Sequence, residues 1–154
     1  MDKVTCRLVP GSLVIQMKAS KKLNQKDRLM RYTLLLHYPE ATADDIGQEA
    51  IEAGMAAFQA YAEALDAAGV LVSAEVLQPV ANSTTVTLRN GSLQIQDGPY
   101  ADTKEQLGGT FVLDVPDLDA ALAWAERCPS VQWGTVEIRP SAVRFVDGAW
   151  VTAR

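Results

Sequence analysis

Four apolar segments of the chain have the length and composition of β-strands. The segment "RYTLLLHY" at 31–38 is a nearly continuous apolar run, as expected for a strand buried on both faces or nearly so. The other predicted strands are 70–79, 108–115 and 134–140. Pro39 and Pro79 close the first two strands, because proline has no backbone N–H to donate to a sheet.

Apolar residues at steps of three and four predict two amphipathic helices. The first is one long helix within 42–69, where Thr42 and Asp45 stand at capping-box spacing and Gly69 is placed for a left-handed stop. The second follows Asp117, its predicted N-cap. Its apolar stripe comprises Leu118, Ala121, Leu122 and Ala125.

Two turn signals predict β-hairpins. Asn90 and Gly91 join two alternating runs over 83–100, which is the strongest short-range hairpin signal that a sequence offers. Asp147 and Gly148 predict a shorter hairpin in the last residues of the chain.

The order of these elements predicts the fold class. With the first hairpin treated as an insertion, the order is β-α-β-β-α-β, the ferredoxin-like α+β arrangement in which both helices cover one face of an antiparallel sheet. The other face needs a cover, and a second copy commonly supplies it, so we expect a homodimer. Trp133 and Phe111 are candidates for that dimer face, and the alternative places them in the core of one protomer.

Charge is distributed unevenly along the chain. Seven of the 14 Lys and Arg residues fall within 1–29, so this leader carries a net charge of about +5 and the remainder about −10. An acidic main domain repels phosphate backbones, which argues against nucleic-acid binding there. We predict a domain over 30–154 preceded by a basic extension. That extension either adds an edge strand at "SLVIQM" or is a solvated, non-native start before Met30.

Several classes of protein are disfavoured by what the sequence lacks. No apolar run reaches the length of a membrane span and the first residues make a poor signal peptide, so we expect a cytoplasmic protein without membrane contact. Cys6 and Cys128 have no metal-ligand spacing, and we interpret Cys128 as a packed thiol at a helix end, with one disulfide bridge as the alternative. One histidine and no nucleotide fingerprint lead us to expect neither a metal nor a cofactor.

Four stretches carry a family likeness: "MRYTLLLHYPE", "AAGVLVSAEVLQP", "QDGPYADTKEQLGGTFVLDVPDLDAALAWAERCP" and "GTVEIRP". Together they resemble the YCII-related superfamily, specifically its DGPF-domain branch, from Met30 to about Pro140. Tyr100 stands where the branch's tetrapeptide has Phe, which keeps the ring. The resemblance implies a dimeric α/β barrel built from ferredoxin-like protomers.

The resemblance implies an enzyme or a regulatory protein. It points to a His and Asp pair at a cleft, and the wider group includes a dehydrochlorinase that acts on a chlorinated aromatic intermediate. This chain departs from that pattern, because its one histidine, His37, ends the first strand and the long helix contains none. The association of DGPF members with extracytoplasmic-function sigma factors implies a sigma-factor-linked partner as the alternative.

The loop "QDGPYADTKE" over 96–105 is a candidate site. Its structural interpretation is an Asx-type turn, in which Asp97 caps backbone N–H groups and Gly98 permits a positive φ. Its functional interpretation makes Asp97 an acid or base, since loops at strand ends collect polar groups above a rigid sheet. The predicted ligand-binding residues of this loop are Tyr100, Asp102, Lys104 and Glu105.

Glu75 and His37 complete the predicted catalytic group. Alternation places Leu71, Ser73 and Glu75 on one face of their strand, and a carboxylate that faces a cleft suits proton transfer. The alternative is that Glu75 faces water or pairs with Arg89. Histidine titrates near neutral pH, so His37 suits acid–base chemistry, although a single histidine at a strand end is commonly structural.

These residues support two hypotheses. The first is a small cofactor-independent enzyme that uses acid–base chemistry, such as elimination or isomerisation, on a small organic or aromatic acid. Tyr32 and Tyr61 would offer hydroxyl groups to its cavity. The second is a non-catalytic dimer that binds a small-molecule ligand or a protein partner in transcriptional regulation.

Overall fold

The computed structural model describes residues 29–152, so most of the basic leader, with the predicted edge strand at 12–17, lies outside the described residues. The strands are β1 (Met30–Tyr38), β2 (Leu71–Val76), β3 (Thr84–Arg89), β4 (Ser92–Asp97), β5 (Gln106–Val115), β6 (Thr135–Pro140), β7 (Val143–Val146) and β8 (Ala149–Thr152). The helices are α1 (Ala43–Ile46), α2 (Gln48–Ala67) and α3 (Leu118–Ala125), with 3₁₀ turns at Val80–Asn82 and Pro129–Gln132.

Four strands form the main sheet in the order β2-β5-β1-β6, and each neighbouring pair is antiparallel. The predicted α+β class is therefore confirmed, and the strand order is consistent with a ferredoxin-like fold. Helix α2 connects β1 to β2 across β5, and α3 connects β5 to β6 across β1. Because such crossovers share one hand, both helices cover the same face of the sheet. The hairpins β3–β4 and β7–β8 form two separate sheets.

The core lies between the helices and one face of the main sheet. Alternate residues of β1 are buried there, as the strand period of two requires. Tyr61 of α2 contacts Phe111 of β5 edge to face, with ring centroids 5.1 Å apart. The core comprises Tyr32, Leu34, Leu36, Tyr61, Leu65, Phe111, Leu113, Val115, Ala121, Ala125 and Cys128.

The two aromatic residues predicted for a dimer face lie on the helix side. Phe111 is buried beneath Tyr61, because it shares the strand parity of the core residue Leu113. Trp133 follows a 3₁₀ turn and packs edge-on against Phe58 of α2, at 6.3 Å between centroids. The assignment of Phe111 to a dimer face is therefore wrong, because this residue lies in the core of one protomer. Trp133 is 44% exposed and is not part of that core, so its place at an interface stays a prediction.

Gly47 divides the predicted long helix into α1 and α2. Its φ of 86° lies in the left-handed region, which ends the first helix after one turn. The single-helix prediction is wrong at this point. The predicted capping box is confirmed, since the backbone N–H of Thr42 donates to Oδ2 of Asp45 at 2.8 Å. The hydrogen bonds from the side chain and backbone of Thr42 hold the pKa of Asp45 below its usual range.

The other predicted helix ends and turns are confirmed. Gly69 ends α2 with φ 67°, and Oδ1 of Asp117 accepts a hydrogen bond from the backbone N–H of Ala120 at 2.9 Å. Both hairpin turns have positive φ, namely Asn90 51°, Gly91 77°, Asp147 50° and Gly148 80°. Among residues 29–152, no helix has the combined length and apolar character that a bilayer crossing requires.

A bulge in β2 changes which of its side chains share a face. The register against β5 shifts between Leu71 and Ser73, so Leu71 pairs with Leu113 on the helix side. Glu75 pairs with Thr110 on the opposite face. The prediction that Leu71 and Glu75 face the same way is wrong, because the bulge inserts one extra residue between them.

Candidate functional site

The face of the main sheet opposite the helices carries the most unusual polar groups of the fold. We call this surface the open face. It comprises Arg31, Thr33, Leu35 and His37 of β1, Ser73 and Glu75 of β2, Leu107, Thr110, Val112 and Asp114 of β5, and Thr135, Glu137 and Arg139 of β6. Its middle is aliphatic and half-buried around Leu35 and Val112, whereas charged residues lie toward its ends and edges.

His37 lies beside two charged residues of β6. Its Nε2 lies 3.6 Å from Oε2 of Glu137, and Nε of Arg139 lies 2.7 Å from Oε1 of the same carboxylate. The register produces this arrangement, because Glu137 lies directly opposite Leu35, two residues before His37. The arginine thus fixes the carboxylate beside the imidazole.

The Nε2 atom of His37 is buried and forms no hydrogen bond within residues 29–152. Buried polar atoms without a partner are rare in proteins and call for an explanation. An imidazole nitrogen with an unused position can take up a proton, and a carboxylate alongside stabilises the imidazolium that results. This arrangement of Glu137 and His37 is chemically suited to general acid–base work.

Close backbone packing holds the end of β1 that carries His37. A Cβ atom at Gly108 would overlap the ring of Tyr38, and one at Gly134 would overlap the carbonyl oxygen of His37. At Gly109 it would lie 2.7 Å from a backbone oxygen of β2. The close packing at Gly108, Gly109 and Gly134 limits the movement of the histidine backbone.

The opposite end of the open face holds a second charged group. Nε and Nη2 of Arg31 donate to Oδ1 and Oδ2 of Asp114, both at 2.8 Å, which makes a bidentate pair. The hydrogen bond to Asp114 raises the pKa of Arg31. Nη1 of Arg144, from β7, lies 3.8 Å from Oδ2 of Asp114.

The three predicted catalytic residues are not linked to one another. Glu75 shares the open face with His37, but β5 lies between their strands, a separation of about 10 Å across the sheet. Asp97 is the last residue of β4 in the inserted hairpin. Within the described range, no hydrogen bond or ion pair joins these three side chains, and no cluster of His, Cys, Asp or Glu has the form of a metal site.

The "QDGPYADTKE" loop is a turn whose charged groups are not engaged. Gly98 has φ 109°, as the turn interpretation predicts, and its N–H donates to the carbonyl of Ser83 at 2.8 Å. The carboxylate of Asp97 makes no hydrogen bond to the residues described, so the predicted cap is absent there. Tyr100 is 92% exposed. The side chains of Asp102 and Lys104 are exposed and that of Glu105 is half-buried, so their ligand roles stay predictions.

The two tyrosines predicted to line a cavity lie on the helix side. The hydroxyl of Tyr61 donates to the carbonyl of Trp124 at 3.0 Å, and burial is the main cause that raises the pKa of Tyr61. The hydroxyl of Tyr32 lies 3.5 Å from Sδ of Met30. Both hydroxyls serve the core and are separated from the open face by the sheet, so their ligand role stays a prediction. Cys128 is a free, buried thiol, as predicted.

Sequence reasoning missed Glu137 and Arg139. The signal for them was present, since alternation in "GTVEIRP" places Thr135, Glu137 and Arg139 on one face of β6. The predicted order of strands also puts the last strand beside the first, which carries His37. Combining the two observations would have identified the His37 partner.

Comparisons with known proteins point to one group of relatives. The family model described as "YCII-related domain" matches residues 30–142. An uncharacterized protein of Rhizobium meliloti (strain 1021) is 31% identical over 116 residues, which cover 74% of this chain and 94% of that protein.

Proposed function

Since this chain belongs to the YCII-related family, we propose that its open face is the working surface of a small, cofactor-independent acid–base enzyme. The observation that supports this proposal is the His37 imidazole, whose buried Nε2 has no hydrogen-bond partner in the described range and lies beside a fixed carboxylate. The DGP-Tyr tetrapeptide at 97–100 supports a place in the DGPF branch.

Each residue of the His37 group has a distinct role. His37 takes a proton from a carbon of the substrate, and the electron pair moves onto an adjacent carbonyl group or expels a leaving group. Glu137 stabilises the imidazolium that forms. Arg139 holds Glu137 through Nε, and its side chain is 69% exposed, so its remaining guanidinium N–H groups are the proposed donors to the acid group of the substrate. The substrate class is a small organic or aromatic acid with an acidic C–H bond.

A second copy of the chain completes the surface in this proposal. The half-buried aliphatic centre of the open face, around Leu35 and Val112, gains stability when it leaves water. Two such faces packed together form the dimeric α/β barrel that the family resemblance implies. Exclusion of water then strengthens the interactions of His37 and Glu137 with a charged substrate.

Hydrogen–deuterium exchange tests the proposed chemistry. The full chain is incubated in D₂O with small acids that have acidic C–H bonds, such as acetoacetate and phenylpyruvate, and deuterium uptake is followed by NMR. His37→Gln should slow the protein-dependent exchange about 100-fold or more, and Glu137→Gln should slow it about tenfold. Asp119→Asn, an exposed change on α3, is the matched control. Exchange that is no faster with the protein, or that survives His37→Gln, would contradict the proposal.

A second candidate function is binding of a protein partner, favoured by the inserted hairpin. Val86 lies opposite Ile95, and Leu88 opposite Leu93, so four exposed apolar side chains share one face of β3–β4. A two-stranded hairpin is marginally stable alone, and its apolar face is stabilised when it is covered. A regulatory, sigma-factor-linked partner is the occupant that the DGPF resemblance implies.

Sedimentation tests this second candidate. The purified chain is mixed with an extracytoplasmic-function sigma factor from the same genome, and the complex is followed by sedimentation velocity. Leu88→Ser should abolish the complex, whereas Thr87→Ser, on the polar face of the same strand, should leave it unchanged. A complex that is insensitive to Leu88→Ser, or the lack of any complex, would contradict this candidate.

A further inference from the structure

The tail hairpin β7–β8 places Arg144 at the end of the open face farthest from His37. The chain leaves β6 through Ser141, whose N–H donates to the carbonyl of Arg31 at 2.8 Å. Arg144 then approaches the Arg31–Asp114 pair, with Nη1 3.8 Å from Oδ2 of Asp114. In the hairpin, Arg144 lies opposite Val151.

The charges at this end do not balance. Both oxygens of Asp114 already accept hydrogen bonds from Arg31 at 2.8 Å, so that pair is neutral and its geometry complete. The contact of Arg144 with Asp114 is longer than a hydrogen bond. Among residues 29–152, two guanidinium groups therefore face one carboxylate, which leaves one positive charge without a compensating partner there.

Arg144 also has an unused hydrogen-bond donor. Its Nε and the Nε2 of His37 are the two buried side-chain nitrogen or oxygen atoms that lack a partner in the described part of the chain. Removing a charged donor from water without a hydrogen bond is costly, so an acceptor that reaches this atom is stabilising. By contrast, Nε of Arg31 donates to Asp114, and Nε of Arg139 lies 2.7 Å from Oε1 of Glu137.

We propose that Arg144, supported by Arg31, forms a binding site for a single carboxylate group. The adjacent Nε–H and Nη–H of a guanidinium match the two oxygens of a carboxylate, so a ligand that enters at the exposed 29% of the Arg144 side chain and reaches its buried Nε would complete this fork. A carboxylate also carries the one negative charge that the group lacks. A phosphate dianion would bring more negative charge than the group lacks, and the carboxylate of Asp114 would repel it.

This site goes beyond the proposed chemistry at His37. Arg31 precedes His37 by six residues of β1, which is about 20 Å along the strand. A small acid held at Arg144 therefore does not reach the imidazole of the same protomer. The open face accordingly has two separate positions for acidic groups, one at each end.

NMR of the arginine Nε–H groups tests the inference on the full chain. The signal of Arg144 is assigned as the one lost in Arg144→Lys. Benzoate should shift this signal in a saturable way, whereas benzamide, its neutral counterpart, should not. Inorganic phosphate should bind more weakly than benzoate. Arg89→Lys, a change in the separate β3–β4 hairpin, should leave the benzoate titration of Arg144 unchanged within about twofold.

The variant Arg144→Gln measures how much Arg144 contributes to the affinity for benzoate. In Arg144→Gln, the affinity of the Arg31 end for benzoate, followed through the Arg31 Nε–H signal, should fall about tenfold or more, the effect of losing a charged hydrogen bond. If Arg144→Gln does not fold, the titrations of the wild-type protein with benzoate, benzamide and phosphate test the inference on their own. Binding of benzamide as tight as benzoate, tighter binding of phosphate, or no shift at Arg144 would each overturn the inference. The result is independent of His37→Gln, so this site and the proposed chemistry can fail separately.

Discussion

The two faces of the main sheet are built from the same strands but differ in how their side chains are buried and hydrogen-bonded. On the helix side, alternate residues of β1 and β5 are buried, and the tyrosine hydroxyl there finds a backbone carbonyl. On the open face, the intervening residues are half-exposed, and the two unpartnered buried nitrogens of the described chain, in His37 and Arg144, lie at its two ends. The first face is organised for stability, whereas the second keeps polar groups without hydrogen-bond partners, and this difference is the basis of the proposal that the open face binds ligands.

The largest expected difference is between Leu34→Ala and Leu35→Ala, two neighbours on opposite faces. Leu34 is 0% exposed, so its truncation should lower the free energy of unfolding by about 2 to 5 kcal/mol. Leu35 is half-buried, so its truncation should cost about 1 kcal/mol or less in a dilute, monomeric sample. Urea denaturation at several protein concentrations measures both effects.

The concentration series also sharpens the comparison. If a second copy covers the open face, the cost of Leu35→Ala should grow with protein concentration, because a dimer is stabilised by mass action. The cost of Leu34→Ala should not grow. Equal losses for the two variants at every concentration would remove the distinction between the faces.

Alkaline pH should act on the helix side through Tyr61. The pKa of Tyr61 is raised above the ordinary value of 10.0, mainly because its hydroxyl is buried. The folded state therefore holds the hydroxyl proton more tightly than the unfolded state does. The resulting stability is fully present below pH 10 and is lost as the pH rises further. Burial also raises the pKa of Cys128 from 9.0, and this contribution declines in the same direction.

Tyr61→Phe should reduce the alkaline loss of stability and should also cost about 1 kcal/mol at neutral pH, because the bond to the Trp124 carbonyl is removed. Tyr100→Phe, at a position that is 92% exposed, is the control and should change neither quantity. Thermal unfolding between pH 7 and 11 measures both. An unaltered pH profile in Tyr61→Phe would show that this hydroxyl is not held by the core.

The smallest effects concern two aspartates that the sequence presents as similar turn residues. Asp117→Ala should lower the free energy of unfolding by about 1 kcal/mol, because its carboxylate caps α3. Asp97→Asn should change it by less than about 0.5 kcal/mol, since this carboxylate has no hydrogen bond within residues 29–152. A loss of 1 kcal/mol or more in Asp97→Asn would restore the turn-cap interpretation of the loop.

Local signals in the sequence predict most of the fold. Thr42, Gly69 and Asp117 act at helix ends as their residue types indicate, and Asn90-Gly91 forms the hairpin that its composition predicts. These features depend on the backbone geometry of a few neighbouring residues, and the residue types at those positions predict that geometry. Gly47 was the local signal that the long-helix prediction overlooked.

The candidate site depends on the register between strands that are distant in sequence, and the sequence alone does not predict that register. The extra residue in the β2 bulge turns Leu71 to the helix side while Glu75 stays on the open face, a change that alternation alone does not reveal. His37 was identified, but its partner Glu137 lies 100 positions further along the chain and meets it only through the pairing of β1 with β6. Asp147 and Gly148 predicted the tail hairpin, but no pattern in the sequence indicates that this hairpin brings Arg144 close to Asp114.

The most direct test of the open face is the NMR spectrum of the protein while an acid is added. His37 is the single histidine of the chain, so its imidazole signal needs no assignment, and the methyl groups of Leu35 and Leu34 report on the two faces. The probe is whichever of acetoacetate and phenylpyruvate exchanges faster in the deuterium assay. We expect the His37 and Leu35 signals to shift together and to saturate at one concentration of the acid, while the Leu34 signal does not shift. Shifts confined to Leu34 or to the Tyr100 loop, or no shift of His37 at saturating acid, would contradict it.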